Sequence, residues 1–214
     1  FEIPVRQIID GKRVYITPAG SVYPSITTIL GSQPKPGLVE WRKRVGEEEA
    51  NKVMKESSSL GTAVHDLCEK YLYNYELKSD NDEVVSVFNR LRFLLGNINN
   101  IIGLEIPLYS DQLKVAGTTD CIAEYNGVLS VIDFKTSRKP KKEEWIEDYY
   151  IQAFFYSMAF FEMTGAMPEQ IVILIAVRNS FEVQVFKKSM SEVDYYIDKL
   201  INIMKKEPQI VQLT

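Results

Sequence analysis

The sequence predicts an α/β fold in which a central mixed β-sheet is flanked by helices. Three strand-like runs follow one another at about residues 103–109, 117–125 and 128–136. A long apolar helix at about 143–164 then separates them from a continuous β-branched run at 171–177. This order favours a sheet packed between helical layers. With 214 residues and a 45% apolar fraction, the chain can build one buried core, so we treat residues 1–214 as a single domain.

The flanking segments divide the domain into three parts: an N-terminal hairpin and helical extension (1–60), a core (61–177) and a C-terminal strand and helix (178–214). A hairpin is predicted from Ile8 to Tyr15, because Asp10-Gly11 is typical of a primed turn. The other predicted elements are helices at about 25–30, 38–55, 61–75, 84–95 and 192–205, and an outer strand at 181–186.

Composition restricts the classes of function. The net charge of −4 argues against a non-specific coat of nucleic acid but permits a local basic channel. No apolar run reaches the roughly 18–20 residues that cross a bilayer. The two cysteines, Cys68 and Cys121, are too few for a disulfide framework or a four-thiolate cluster, and they favour a reducing compartment.

Two aspartates flank a predicted hairpin turn. Asn126-Gly127 lies between two strand-like runs, and a two-residue turn there pairs Tyr125 with Val128. The same register, continued along both strands, places Asp120 opposite Asp133. Like charges in this position destabilise a sheet, whereas a divalent cation between them stabilises it, because magnesium prefers carboxylate oxygens. The pair therefore predicts a magnesium site.

Lys135 adds a cation to the same face. Side chains alternate along a strand, so Lys135 and Asp133 face one side while Phe134 faces the other. The alternative is a solvated salt bridge between Lys135 and either acid, which is common and weak. It does not explain why the acids share a face with the apolar Leu129 and Val131. A β-bulge in either strand would break the register.

His65 is the only histidine in the chain. It is predicted at the margin of the buried helix face that Val64 and Leu67 define. A lone helical histidine is more often structural than a metal ligand, but a marginal position allows its ring to reach the sheet. We expect Gly61 and Thr62 to permit close approach of a phosphate to the start of this helix.

Two further features are candidates for a nucleic-acid surface. Gln152 and Tyr156 lie four residues apart on the long helix, so they share a face that forms either a cleft wall or a simple polar edge. A basic run begins at the proposed site, where a phosphate backbone requires neutralisation, although such runs usually mark solvated loops. Its cations are Lys135, Arg138, Lys139, Lys141 and Lys142.

Together these residues resemble the PD-(D/E)XK nuclease superfamily, in particular its RecB-like exonuclease branch. The matching motifs are Gly61-Thr62-x-x-His65, Gly117-x-x-Asp120, Asp133-x-Lys135 and Gln152-x-x-x-Tyr156. Residues 23–30 and 45–47 are similar to phage exonucleases of this branch, and the mitochondrial genome-maintenance exonucleases look similar as well. The resemblance covers about residues 22–177. It implies a restriction-endonuclease-like core (αβββαβ) with an N-terminal helical extension.

The resemblance also implies roles for individual residues. His65, Asp120 and Asp133 would bind the metal together with the backbone carbonyl of Phe134, and Glu105 would reach a metal directly or through water. Lys135 would orient or deprotonate the attacking water, acting with the two aspartates as the catalytic set. The implied nucleic-acid contacts are Thr62, Thr136, Ser137, Arg138, Lys139, Gln152 and Tyr156. The expected cofactor is Mg²⁺, with Mn²⁺ able to substitute. No iron–sulfur cluster is expected, because the four cysteines of the cluster-containing members are missing.

The function expected is that of a magnesium-dependent deoxyribonuclease. It would act as an exonuclease on DNA ends, favouring single strands, in DNA replication, recombination or repair. The alternatives are a structure-specific endonuclease, a catalytically inactive DNA-binding module, and another magnesium phosphohydrolase on the same fold. The expected partners are DNA and replication or recombination proteins, with no membrane. The expected location is the cytoplasm of a bacterium or phage-infected cell, with the mitochondrial matrix as the alternative.

Overall fold

The computed structural model describes residues 1–206, which form two β-sheets and six α-helices. The strands are β1 (Val5–Ile9), β2 (Lys12–Ile16), β3 (Val22–Pro24), β4 (Ile98–Ser110), β5 (Val115–Tyr125), β6 (Val128–Ser137), β7 (Gln170–Val177) and β8 (Val183–Ser189). The helices are α1 (Ile26–Gly31), α2 (Pro36–Val45), α3 (Glu47–Leu72), α4 (Asp82–Leu95), α5 (Glu147–Thr164) and α6 (Val193–Lys206). The last eight residues of the predicted C-terminal part, 207–214, lie outside the described residues.

The central sheet has the strand order β4-β5-β6-β7-β8. β6 and β7 are parallel, and the other neighbouring pairs are antiparallel. A parallel pair needs a crossover connection, which α5 supplies. The predicted α/β class, with its order of helix, three strands, helix and strand, is confirmed.

Each face of the central sheet carries its own apolar core. Ile122 and Val131 pack with α1, α5 and α6 on one face, whereas Cys121 and Ile132 pack with α3 and α4 on the other. Neighbours along a strand point to opposite faces, so this division follows directly from the sequence. The predicted burial of the long helix is confirmed, but the helix begins at Glu147 because residues 143–145 form a separate 3₁₀ turn.

Both predicted two-residue hairpin turns are present. The backbone φ angles are 49° and 74° at Asp10 and Gly11, and 53° and 79° at Asn126 and Gly127. Positive φ at both central positions is the primed turn that matches the twist of the flanking strands. The Asn126-Gly127 turn therefore fixes how β5 pairs with β6.

The predicted boundaries of the N-terminal helices are wrong. The helix expected at 38–55 is broken at Gly46, where φ is 88°, and α3 then runs without interruption from Glu47 to Leu72. Gly61 and Thr62 therefore lie in the middle of α3, so the predicted approach of a phosphate to a helix start there is also wrong. A glycine weakens a helix by only about 1 kcal/mol relative to alanine, and the buried face of α3 outweighs that loss. The predicted division at residue 60 falls inside this helix.

A three-stranded sheet, β1-β2-β3, lies beside the start of β5. Its third strand was not predicted. The buried Tyr15 hydroxyl lies 2.9 Å from Thr118 Oγ1, and Ser25 forms an isolated bridge with Ala116. These contacts attach the N-terminal sheet to the central sheet. Among residues 1–206, no helix is both long enough and apolar enough to cross a membrane.

Candidate metal centre and nucleic-acid cleft

The β5–β6 ladder ends immediately before the two aspartates. Its register runs from Tyr125 opposite Val128 to Cys121 opposite Ile132, as predicted. The expected direct pairing of Asp120 with Asp133 is wrong, because that position is not part of the ladder. Instead, the backbone N–H of Phe134 donates a 2.8 Å hydrogen bond to Asp120 Oδ2.

Three side chains near the point where the β5–β6 ladder ends can together hold a metal ion. One potential ligand atom from each of His65, Glu105 and Asp120 lies within 4.8 Å of the other two. His65 Nδ1 is 3.6 Å from Asp120 Oδ2. α3 contributes the imidazole, while β4 and β5 contribute the carboxylates. Carboxylate oxygens suit Mg²⁺ and Mn²⁺, and imidazole suits several divalent transition metals.

Glu105 has an uncommon backbone conformation at this position. Its φ is 49°, although Leu104 and Ile106 on either side pair regularly with β5. Left-handed residues other than glycine are uncommon and cluster at functional sites. Reduced hydration, followed by the charges of Asp120 and Glu69, raises the pKa of Glu105 to about 7. A bound cation would oppose this rise, because it favours the charged carboxylate.

Asp133 and Lys135 form an ion pair beside this group. Lys135 Nζ lies 2.7 Å from Oδ1 and 2.6 Å from Oδ2 of Asp133. The aspartate side chain is only 3% exposed, so this is not the solvated surface pair considered as an alternative. Burial raises the pKa of Asp133. Burial lowers the pKa of Lys135, but the nearby Asp133 and Asp120 carboxylates produce a net increase.

Asp133 also offers an oxygen for coordination. Although Oδ2 is close to the lysine, it has no well-directed hydrogen bond among the described residues. The Lys135 ammonium balances the charge of this oxygen, and Oδ2 keeps a lone pair for a further ligand. Asp133 is not one of the three residues whose ligand atoms lie within 4.8 Å of one another, so its coordination of the metal remains a prediction.

The metal-capable group His65, Glu105 and Asp120 lines a cavity of about 610 Å³. Asp133 and Lys135 are not among the residues that line it. Its other lining residues come from α3, α5, β5 and the N-terminal region. They are Gly61, Thr62, Asp66 and Glu69 from α3, Gln152 and Tyr156 from α5, and Arg6, Arg13, Ser25, Thr27 and Thr118 from the N-terminal region and β5.

Gln152 and Tyr156 share a wall of the cavity, as one of the two sequence interpretations predicts. Gln152 Nε2 donates a 3.1 Å hydrogen bond to the Tyr156 hydroxyl. Tyr156 is only 1% exposed, and burial raises its pKa well above the usual value. A Cβ atom on Gly117 would lie 2.8 Å from Tyr156 Cε1, so this glycine permits close packing between β5 and α5. Tyr156 therefore supports Gln152 from beneath the cavity surface.

The predicted residues at the end of β6 do not line the cavity. Thr136 packs near Gly61 of α3, and Ser137 Oγ donates a hydrogen bond to the Lys139 carbonyl at 2.7 Å. Arg138 and Lys139 are exposed to solvent. Their contacts with nucleic acid remain predictions.

Phe134 connects the sheet to the histidine. Its ring packs edge-on against His65, with centroids 6.2 Å apart and an interplanar angle of 79°. This contact holds the imidazole beside β6. The coordination of metal by the Phe134 carbonyl remains a prediction.

Sequence reasoning missed Arg6, Arg13 and Glu69 as cavity residues. Glu69 had a usable signal, because it lies one helical turn beyond His65 on α3. The arginines had no comparable local signal. Their position depends on how the N-terminal sheet packs against the core.

Residues 83–207 match the family model of the PD-(D/E)XK nuclease superfamily. The chain belongs to this superfamily. The predicted resemblance and the restriction-endonuclease-like fold are confirmed, and the matched segment includes the Asp120, Asp133 and Lys135 positions. His65 precedes that segment and is brought to the site by α3.

The PD-(D/E)XK chain is also similar to curated exonucleases. Mitochondrial genome maintenance exonuclease 1 of Homo sapiens is 31% identical over 132 residues, which cover 56% of this chain and 38% of that protein. The Xenopus tropicalis protein is 30% identical over 152 residues, covering 66% and 43% respectively. The chain thus spans less than half of the length of these relatives. The crystal structure of SSO0001 aligns with a TM-score of 0.40 and 16% identity, covering 84% of this chain and 75% of that one.

Proposed function

We propose that this chain is a metal-dependent deoxyribonuclease that hydrolyses phosphodiester bonds at DNA ends. The observation that carries the proposal is the convergence of a three-residue metal-capable group with the buried Asp133–Lys135 pair. Membership of the PD-(D/E)XK nuclease superfamily supports hydrolysis of nucleic acid. The names of the similar curated proteins support an exonuclease acting in genome maintenance.

Magnesium is the proposed cofactor, and Mn²⁺ should substitute for it. His65, Asp120 and Asp133 would hold the ion, with Glu105 and the Phe134 carbonyl as further oxygen donors. When bound, such an ion supplies an activated water and stabilises charge on the attacked phosphate. The oxygen-rich donor set favours hard cations of this kind.

The protein groups around this ion have separate tasks. Phe134 N–H fixes the orientation of Asp120 through its 2.8 Å hydrogen bond. Asp133 holds the Lys135 ammonium, which also lies 5.2 Å from the centre of the Tyr149 ring. Lys135 would orient the attacking water and steady the negative charge that develops on the phosphate. An ammonium suits this task because it is a compact charge on a movable stem.

The size of the cavity supports action on a single strand. Its volume of about 610 Å³ lies within the usual range of small-ligand sites, about 300–1,000 Å³. A space of this size can hold a nucleotide of one strand. The half-exposed Gln152 at its wall can donate or accept hydrogen bonds along that strand.

The direct test uses purified protein with linear and circular single-stranded DNA of equal length. With Mg²⁺ or Mn²⁺, we expect nucleotides to be released from the linear DNA while the circle remains intact. EDTA should stop the reaction. Cleavage of the circle would favour the endonuclease alternative, and absence of cleavage with every divalent cation tested would reject nuclease activity.

A substitution of Lys135 tests the catalytic assignment. We expect Lys135→Met to lower the rate of cleavage about 10²–10³-fold, which is typical when one group that stabilises the transition state is lost. Affinity for DNA should change little. Rates under single-turnover conditions and binding to a labelled oligonucleotide would measure the two effects.

The matched control is Lys78→Met, because Lys78 is an exposed lysine whose one ion pair within residues 1–206 is with the exposed Glu76. Thermal unfolding would verify that Lys135→Met remains folded despite the unpaired Asp133. Retention of most of the cleavage rate by folded Lys135→Met would remove Lys135 from the mechanism.

A further inference from the structure

Two arginines from the N-terminal sheet line the same cavity as the metal-capable group. Arg6 lies on β1 and Arg13 on β2, both outside the segment that matches the nuclease superfamily. The same cavity is lined by the carboxylates of Glu105 and Asp120. The cleft therefore contains acidic and basic side chains that come from different sheets.

The register of the N-terminal sheet fixes which way these arginines face. Arg6 lies opposite Tyr15, and Ile8 lies opposite Arg13, so all four residues share one face. On that face, Tyr15 is fully buried, and its hydroxyl lies 2.9 Å from Thr118 Oγ1. The contact that attaches the sheet to the core thus directs both guanidinium groups towards the cavity.

Neither guanidinium forms an ion pair with a carboxylate in residues 1–206. The charge of Arg6 nevertheless acts on Glu105. It lowers the pKa of that carboxyl group and so partly offsets the increase that burial causes. Arg13 is half-buried, and the Ser25 and Thr27 hydroxyl groups, whose oxygens lie 2.9 Å apart and share a hydrogen bond, line the same cavity. The guanidinium groups therefore supply cationic N–H donors to an anion in the cavity.

We propose that Arg6 and Arg13 form a phosphate clamp, which binds phosphate groups of the nucleic-acid strand in the cavity that the metal-capable group also lines. The proposal rests on the proposed function, because that function supplies the strand. A guanidinium presents several N–H donors in a planar fork that matches two phosphate oxygens. The N-terminal sheet would then hold the strand while the core cleaves it.

Salt dependence of binding gives the first test. Each phosphate contact to a single strand contributes about 0.7 to the slope of log affinity against log salt concentration. For Arg6→Gln/Arg13→Gln, we expect the slope to fall by about 1.4 and affinity for labelled single-stranded DNA to fall at least about tenfold. Binding would be measured by fluorescence anisotropy with Ca²⁺ in place of Mg²⁺.

Lys12→Gln provides the matched control. Lys12 is an exposed cation next to Arg13 on β2, but it points to the other face of the hairpin and does not line the cavity. It should leave the salt slope nearly unchanged. Arg6→Lys/Arg13→Lys, which keeps both charges, should restore most of the slope. If the glutamine double variant keeps the wild-type slope, the clamp is rejected.

Two substrates distinguish the source of the phosphate. Oligonucleotides with and without a terminal phosphate would be compared in the same assay. An equal loss of affinity for both assigns the clamp to backbone phosphates, whereas a loss confined to the phosphorylated strand assigns it to a terminal phosphate. Either result supports a phosphate site at these arginines.

The test of the phosphate clamp gives a result that is independent of the test of nuclease activity. Cleavage by wild-type protein without any change of salt slope in the glutamine double variant would reject the clamp alone. Absence of cleavage in wild-type protein would reject the nuclease proposal, while the binding measurements would still report on the arginines. In active protein, the glutamine variant should raise KM more than it lowers kcat.

Discussion

Glu105 shows how one residue can carry both strain and a proposed function. Its left-handed backbone is unfavourable for a residue with a side chain, by about 1–2 kcal/mol. The nearby Asp120 and Glu69 carboxylates add repulsion. A position with two unfavourable features is retained most readily where its carboxylate binds something. The proposed occupant is the divalent cation.

Substitution of this residue should separate stability from metal binding. We expect Glu105→Asn to raise the free energy of unfolding by about 1 kcal/mol without divalent cation, because asparagine tolerates the left-handed conformation and carries no charge. The additional stabilisation by Mg²⁺ should become smaller, because a shorter, neutral amide replaces a charged carboxylate ligand. Thermal unfolding with and without Mg²⁺ measures both quantities. Glu144→Asn, at an exposed position, is the control. An unchanged Mg²⁺ effect would show that Glu105 does not contribute to metal binding.

Some residues of the site could be predicted from the sequence more directly than others. Asp120, Asp133 and Lys135 follow from a turn signal and strand alternation, because both are local. The hydrogen bond from Phe134 N–H to Asp120 could not be predicted, because it depends on where the ladder ends. His65 was identified through the resemblance, since its distance from the sheet depends on the packing of α3.

At the scale of elements, the packing of β5 against α5 depends on one glycine. A Cβ atom at Gly117 would lie 2.8 Å from both Tyr156 Cε1 and Ile26 Cγ2. Both neighbours are buried, so neither can move freely. The close approach of Ile26 from α1 and Tyr156 from α5 to β5 therefore explains the glycine in the predicted Gly117-x-x-Asp120 motif.

We expect Gly117→Ala to destabilise the protein by about 1–3 kcal/mol, as overpacking of a core generally does. Displacement of Tyr156 should also loosen its hydrogen bond with Gln152 and weaken DNA binding. Urea denaturation and oligonucleotide binding would measure these effects. Gly31→Ala is the matched control, because a Cβ there contacts nothing within 4 Å. Equal stability of the two variants would contradict the packing argument.

Elements with strong local signals were predicted well. Both Asp-Gly and Asn-Gly turns and the buried α5 belong to this group. The helix boundaries around Gly46 and Gly61 were wrong, because the two glycines have opposite consequences. Gly46 adopts φ of 88° and ends a helix, whereas Gly61 continues one. Packing on the tertiary scale decides between these outcomes.

At the scale of the whole molecule, the sequence predicted the layers but not the position of the N-terminal sheet. The contact between Tyr15 and Thr118 that attaches this sheet joins residues 103 positions apart. Hydrophobic periodicity reports which face of a strand is buried, but it does not report what covers that face. For this reason Arg6 and Arg13 emerged only from the three-dimensional arrangement.

The Asp120 carboxylate has two roles, because it accepts a hydrogen bond from the Phe134 N–H and is also part of the metal-capable group. Where β5 and β6 part, the aspartate takes the place of a carbonyl that a continuing ladder would have offered. Asp120→Ala would remove a charge and at the same time leave the Phe134 N–H without its acceptor. Inactivity of such a variant would thus have two inseparable origins. Asparagine keeps an acceptor oxygen while discarding the charge, so it is the replacement that isolates the electrostatic contribution of Asp120.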